Sequence, residues 1–189
     1  MTPMRICSVL WTLLWVVWLI AWLRTKPTQE RASFGSRLGY GIPVLAAFYL
    51  LFGDQIPVAW LHLQIITHNL YVGGLGVAIT GMGIALAIWA RFYLGENWSS
   101  AVSIKVGHQL IRGGPYAWVR HPIYSGLILA AIGTALVRGE IRGALAIILL
   151  WYAFSVKSRM EEVFMRKTFG PDYEAYSAST GAMVPRIRM

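Results

Sequence analysis

Apolar and polar positions along this chain fall into long blocks rather than short alternations. Five blocks are almost wholly apolar, at residues 6–23, 38–61, 70–90, 122–137 and 143–156. At 1.5 Å per residue, a helix of about 20 residues crosses a hydrocarbon core of about 30 Å. The first block, ICSVLWTLLWVVWLIAWL, outruns the roughly 7–15-residue apolar region of a secretory signal and lacks a small-residue cleavage site, so it predicts a transmembrane helix. The second predicts another, with Pro43 in its first turn and the stretch from Asp54 to Pro57 as a frayed far end. The third is glycine-rich. Small residues recur four apart in the pairs Gly74 and Ala78, Gly76 and Thr80, and Gly83 and Ala87, the spacing that lets helix backbones approach closely in lipid. A nucleotide fingerprint needs its glycines between a strand and a helix; these lie inside one apolar helix. The last two blocks flank a tight RGEIR turn and predict a hairpin. Its first arm is about 24 Å long, so the pair either spans or dips in and returns. In both cases its outer ends emerge on one side.

The polar stretches complete the outline. Residues 24–37 form a basic loop, and His62 and His68 sit in a connection without Lys or Arg, where histidines read as solvated. Residues 91–119 are too aromatic and varied for a linker. The tail from Lys157 reads KSRMEEVFMRKTFGPDYEAY, an amphipathic stretch whose helix ends at Gly170 and Pro171. It predicts a segment lying on the membrane surface or folding back over the central loop.

Composition agrees: 57% of residues are hydrophobic and 13% charged, against about 25% charged in soluble domains. The fold class is therefore an all-α integral membrane protein of about five transmembrane helices. The division expected is three helices over residues 1–90, then a second region over 91–189. The net charge of +9 points to sidedness rather than to a nucleic-acid partner. Fourteen of the seventeen Lys and Arg residues lie in the first loop, the central loop and the tail; Arg5, Arg138 and Arg142 fall on the other side. The N-terminus is thus expected outside, with loop and tail in the cytoplasm. Cys7, the lone cysteine, reads as packing, and no metal site is expected.

Candidate chemistry gathers on the cytoplasmic side, around GGPYAWVRHPIYSG at residues 113–126. His121 reads as a cap and Pro122 as a first helical residue, since the amide that proline lacks would be unpaired there. Amides at that helix start suit an anion such as a carboxylate, and Arg120 can add a charge-assisted contact. Glu161 and Glu162 can accept from hydroxyls or an ammonium. Successive helical residues point about 100° apart, so the pattern leaves open which of the two faces the site. Tyr116, Trp118 and Tyr124 can stack on a heterocycle or a cation, including a sulfonium. Together these are parts of a site for a zwitterionic nucleoside with a positive centre.

The order LGENWS, GHQLIRGGPYAWVRHPIYSG, EEVFMRKTFGPDYEAY and MVPRI resembles the isoprenylcysteine carboxyl methyltransferases and the related phospholipid methyltransferases, over residues 95–187. The resemblance implies a multi-span enzyme using S-adenosyl-L-methionine, its pocket formed by the cytoplasmic loop and C-terminal helix. It places cofactor contacts at His108, Gln109, Leu110, Ile111, Tyr116, His121, Pro122, Ile123, Tyr124 and Glu161, with Glu162 beside them. Where the family has a substrate-side arginine this chain has Lys157, which keeps the charge but loses the bidentate fork; Arg159 is a nearby substitute. Around Ser100 and Ala101 a family glutamine has no clear equivalent. The reaction implied is in-line transfer of a methyl to a carboxylate oriented by Arg120 or Lys157. The acceptor would be lipid-like or prenylated, entering sideways beside the third helix. The membrane would be the inner membrane of a prokaryote. Three other readings stay open: amine methylation with His121 as base, a membrane reductase using NADPH, and a protein without catalysis. Oligomeric state is open as well.

Overall fold

The computed structural model describes residues 1–22, 28–31, 34–95, 98, 103–105 and 109–186. Helices α1 (Pro3–Trp22), α2 (Phe34–Phe52) and α3 (Leu70–Leu94) come first. Then follow α4 (Pro122–Arg138), α5 (Ile141–Phe169) and the short α6 (Pro171–Ser179). Among the described residues the only ladder is a two-stranded antiparallel ribbon, β1 (Thr28–Arg31) with β2 (Ser103–Lys105), which ties the first loop to the central one. Four helices, α1, α2, α3 and α5, are long and apolar enough to cross a membrane, and α4 is a shorter apolar helix. The chain is an integral, multi-pass membrane protein.

Close packing of α3 on α4 forms the centre. Built on Gly83, a Cβ would lie 2.5 Å from the Gly126 carbonyl oxygen, and on Gly76 it would lie 2.7 Å from that of Gly133. The two backbones therefore touch through a shared row of small residues. Gly74 and Ala78, assigned to the same pattern, are exposed on another face. A buried polar cluster pins α1 to this pair. Trp11 Nε1 donates to Thr134 Oγ1 at 3.0 Å, Thr80 Oγ1 donates to the Gly76 carbonyl at 2.9 Å, and Cys7 Sγ lies 3.6 Å from Thr80 Oγ1. Hydroxyls that bond across helices are satisfied where lipid offers no partner. Cys7 is thus packing, as its sequence context implied.

Four expectations need correction. The second helix begins at Phe34 and ends at Phe52, so Pro43 lies in its third turn rather than its first. Residues 53–69 are not a frayed helix end. They form a strap, with a 3₁₀ turn at Ala59–His62, fastened to the α4–α5 turn by Ile65 N to Gly139 O (2.8 Å) and Ile141 N to Leu63 O (3.1 Å). His62 is not simply solvated either: its Nδ1 faces Glu140 at 3.2 Å and its Nε2 the Ile56 carbonyl at 3.0 Å. Finally, α5 does not stop at Val156. Nothing between Gly143 and Gly170 breaks a helix, so it runs unbroken for 29 residues and carries the glutamates with it.

Candidate functional site

Because α5 is continuous, Phe154, Lys157, Glu161, Phe164 and Met165 recur at helical spacing on one face. That face meets the start of α4, where His121, Ile123, Tyr124 and Leu127 stand, across a cavity of about 340 Å³. Gln109, Leu110, Ile111 and Tyr116 form its loop wall, and Tyr173 and Tyr176 of α6 line it too. Trp15 and Trp18 of α1, with Leu94 and Trp98, complete the lining. Tyr116 sits in the 3₁₀ turn Gly114–Ala117, where Gly114 has a φ of 57° and leaves room for the Tyr93 ring beside it. The size falls in the range of small-molecule sites, about 300–1,000 Å³.

Charge is ordered along the α4–α5 seam. Tyr124 donates its hydroxyl to Glu161 Oε1 at 2.6 Å, and its ring stacks with Phe154 (4.8 Å) and His121 (5.5 Å). His121 lies between the glutamates, Nδ1 at 3.4 Å from Glu161 Oε2 and Nε2 at 3.3 Å from Glu162 Oε1. A neutral imidazole carries one N–H, so two carboxylates facing two ring nitrogens call for the imidazolium. Burial alone would lower the His121 pKa; hydrogen bonds donated to both glutamates, with their charges, outweigh it and raise the pKa above its ordinary value. Burial also pushes the Tyr176 phenol up to about 12, which keeps it a donor to the Tyr116 carbonyl at 2.6 Å.

Arg120 is committed to protein. Its Nε and Nη2 bond Glu162 at 2.9 and 2.7 Å, and its Nη1 bonds the carbonyls of Ser177 and Thr180. Glu162, which also meets Arg166 at 3.1 Å, stands behind the wall while Glu161 lines the cavity. Lys157 brings its ammonium to the lining, 5.4 Å from the Tyr124 ring centroid.

The structure thus gathers Gln109, Leu110, Ile111, Tyr116, Arg120, His121, Ile123, Tyr124, Lys157 and Glu161 around one cavity. Pro122 is buried at the first position of α4 and does not line it; Arg159 is exposed away from it; His108 lies outside the described residues. Trp118 packs edge-on against Trp89 instead of facing the cavity. The residues leading into the α4 start, where amides were expected to meet an anion, are bonded to the chain's own tail. Arg120 N and His121 N donate to the carbonyls of Gly181 and Ala182 at 2.9 Å each, and Ser125 Oγ donates to the Met183 carbonyl at 2.6 Å. Sequence reasoning did not place Trp15, Trp18, Trp98, Tyr173 or Tyr176 here. The surplus of tryptophans in α1 and the aromatic spacing of the tail were the available signals.

A family model described as phospholipid methyltransferase matches residues 72–172, more than half of the chain. The protein-S-isoprenylcysteine O-methyltransferase of Schizosaccharomyces pombe is 33% identical over 109 residues, covering 56% of this chain and 46% of that protein. A probable protein-S-isoprenylcysteine O-methyltransferase of Oryza sativa subsp. indica is 31% identical over 120 residues, 62% of this chain and 63% of its own length. The chain therefore spans about half to three fifths of the curated relatives it matches. Among solved structures, a eukaryotic intramembrane Ras methyltransferase, isoprenylcysteine carboxyl methyltransferase, shares the fold. The TM-score is 0.58 at 24% identity, over 78% of this chain and 52% of that one.

Proposed function

The chain belongs to the phospholipid methyltransferase family, and from that premise we propose that it is an S-adenosylmethionine-dependent membrane methyltransferase. Its acceptor is a lipid-linked carboxylate of isoprenylcysteine type, taken at the cytoplasmic face of a prokaryotic cell membrane. The observation that carries this reading is the single cavity onto which Glu161, Lys157 and a set of aromatic rings converge. Its donor set suits the cofactor: Glu161 can accept from an ammonium or ribose hydroxyls, and ring faces such as that of Tyr116 suit a heterocycle or a sulfonium. When bound, S-adenosylmethionine supplies a methyl group activated on a sulfonium.

The chain's residues divide the remaining work. Tyr124 and His121 hold the Glu161 carboxylate in place. Lys157 orients the acceptor carboxylate, and Arg120 holds Glu162 and α6 against the pocket rather than touching substrate. The acceptor's apolar body lies toward Trp15 and Trp18. The row of α3 through Gly76 and Gly83 is packed on α4, while the face carrying Gly74 is open. A carboxylate is ionised near neutral pH and needs no base. An amine must first lose a proton, and His121, held as an imidazolium between two glutamates, is unsuited to take it. That favours the carboxylate over the amine.

Thermal unfolding in detergent tests this reading. S-adenosylhomocysteine at 100 times its Kd stabilises a one-site protein by about 2.7 kcal/mol. The expected outcome is a clear rise in Tm with S-adenosylhomocysteine, none with NADPH, and loss of the rise in Glu161→Gln. Stabilisation by NADPH, or by neither compound, would overturn it.

A further inference from the structure

Tyr40 lies on α2, outside residues 72–172 that match the family. Its ring is buried and packs on Ala153 of α5, beside Val44, Met160 and Phe164. The Lys157 ammonium sits 5.3 Å from the centroid of this ring and 5.4 Å from that of Tyr124. Both distances fall within the reach of about 6 Å over which a ring face attracts a cation. Two rings from two helices, α2 and α4, thus meet one ammonium carried by a third. Glu161, one turn further along α5, places a negative charge on the same side.

A lysine side chain is a flexible stem ending in a compact point charge, whereas an arginine is pre-organised by its planar fork. At this cavity the pre-organisation that the side chain lacks is supplied by its surroundings. We propose that Tyr40 is a positioning residue: with Tyr124 it clamps the Lys157 ammonium at the cavity wall, where it meets a monoanionic acceptor headgroup as a fixed point charge. The proposal rests on the methyltransferase reading above and adds to it the device that replaces a bidentate contact. It also gives α2 a part in acceptor recognition. A point charge tolerates more than one orientation of a carboxylate, so the clamp sets acceptor affinity rather than a single geometry.

Two measurements on the full-length protein in detergent test this. The first is carbon-13 NMR after reductive methylation of its four lysines, Lys26, Lys105, Lys157 and Lys167, with Lys157→Arg used for assignment. The Lys157 signal is expected upfield of the others through ring currents, still upfield in Tyr40→Phe, and returned toward the others in Tyr40→Leu. The second is methylation of N-acetyl-S-farnesylcysteine. Here Tyr40→Leu is expected to raise the acceptor KM roughly five- to tenfold, with kcat and S-adenosylhomocysteine affinity little changed and Tyr40→Phe close to wild type. A wild-type Lys157 signal without the upfield shift overturns the clamp, whether or not Tyr40→Leu folds. A signal that moves with no change in KM overturns its role in recognition. Wild-type protein that neither binds S-adenosylhomocysteine nor methylates the probe overturns the enzymatic reading and this role with it, while the NMR shift still reports whether the clamp exists.

Discussion

His121 shows how one side chain can set the protonation of a whole seam. Its two ring nitrogens face Glu161 and Glu162, and its pKa is raised in the folded protein because those contacts outweigh burial. A group whose folded pKa exceeds its unfolded value adds stability that is full below the unfolded value, about 6.5 for histidine, and is lost as pH rises through the folded value. His121→Asn should therefore cost most thermal stability below about pH 6.5, and the gap in Tm from wild type should narrow as pH rises toward 9. A gap that stays constant over that range, measured by unfolding in detergent, would remove the imidazolium from the account. At this scale the sequence was informative about chemistry and poor about commitment. Arg120, His121, Tyr124 and Glu161 could be singled out by type and order. That Arg120 spends its donors on Glu162 and two carbonyls of the α6 region could not be, because those partners lie 42 to 60 residues away.

Helix pairing is decided by which row of small residues faces a partner. The rows through Gly76, Thr80, Gly83 and Ala87 meet α4, whereas Gly74 and Ala78 do not. A spacing of four identifies a row, but several rows run along one helix about 100° apart, and periodicity alone does not say which is covered. The contrast yields a prediction. In Gly83→Ala the new methyl would meet the backbone of Gly126 and Ala130, which has no room to yield, so a loss of about 1–3 kcal/mol is expected. In Gly74→Ala it meets nothing within 4 Å, and the change should be neutral or slightly stabilising, by up to about 1 kcal/mol, through helix propensity. Equal effects of the two substitutions on Tm would contradict the α3–α4 seam. The same logic explains the misplaced end of α5. Polarity changes at Lys157, where the apolar block stops, but a helix ends at a breaker, and the first breaker is Gly170. A change of solvent is legible in hydropathy and does not bend the backbone.

Across the whole molecule, both ends of the bundle are defined by contacts between distant segments. At one end Arg91 Nη2 bonds the Ala21 carbonyl at 2.6 Å, joining the ends of α3 and α1 near the cavity. At the other the strap 53–69 binds the α4–α5 turn. The cavity end collects the first loop, the central loop and the tail, which together carry fourteen of the seventeen Lys and Arg residues. The positive-inside rule predicts that this end faces the cytoplasm, as proposed above. Cys7 is buried, so a membrane-impermeant maleimide should not label the natural chain, and single cysteines can report sidedness. Placed at two exposed positions, Asp54→Cys on the strap should be labelled from outside intact bacterial cells, and Asp172→Cys on α6 only after permeabilisation. The reverse pattern would turn the cavity outward and leave the charge asymmetry without its usual cause. The orientation matters for the chemistry because the cavity is bounded by two kinds of wall. In the proposed orientation Glu161, Tyr173 and Tyr176 would present it to the water side, where a charged cofactor would arrive, while the half-exposed Trp15 and its neighbour Trp18 on α1 would present it to lipid. A polar donor and a lipid-bound acceptor can then reach one reaction centre from two solvents without either crossing the membrane.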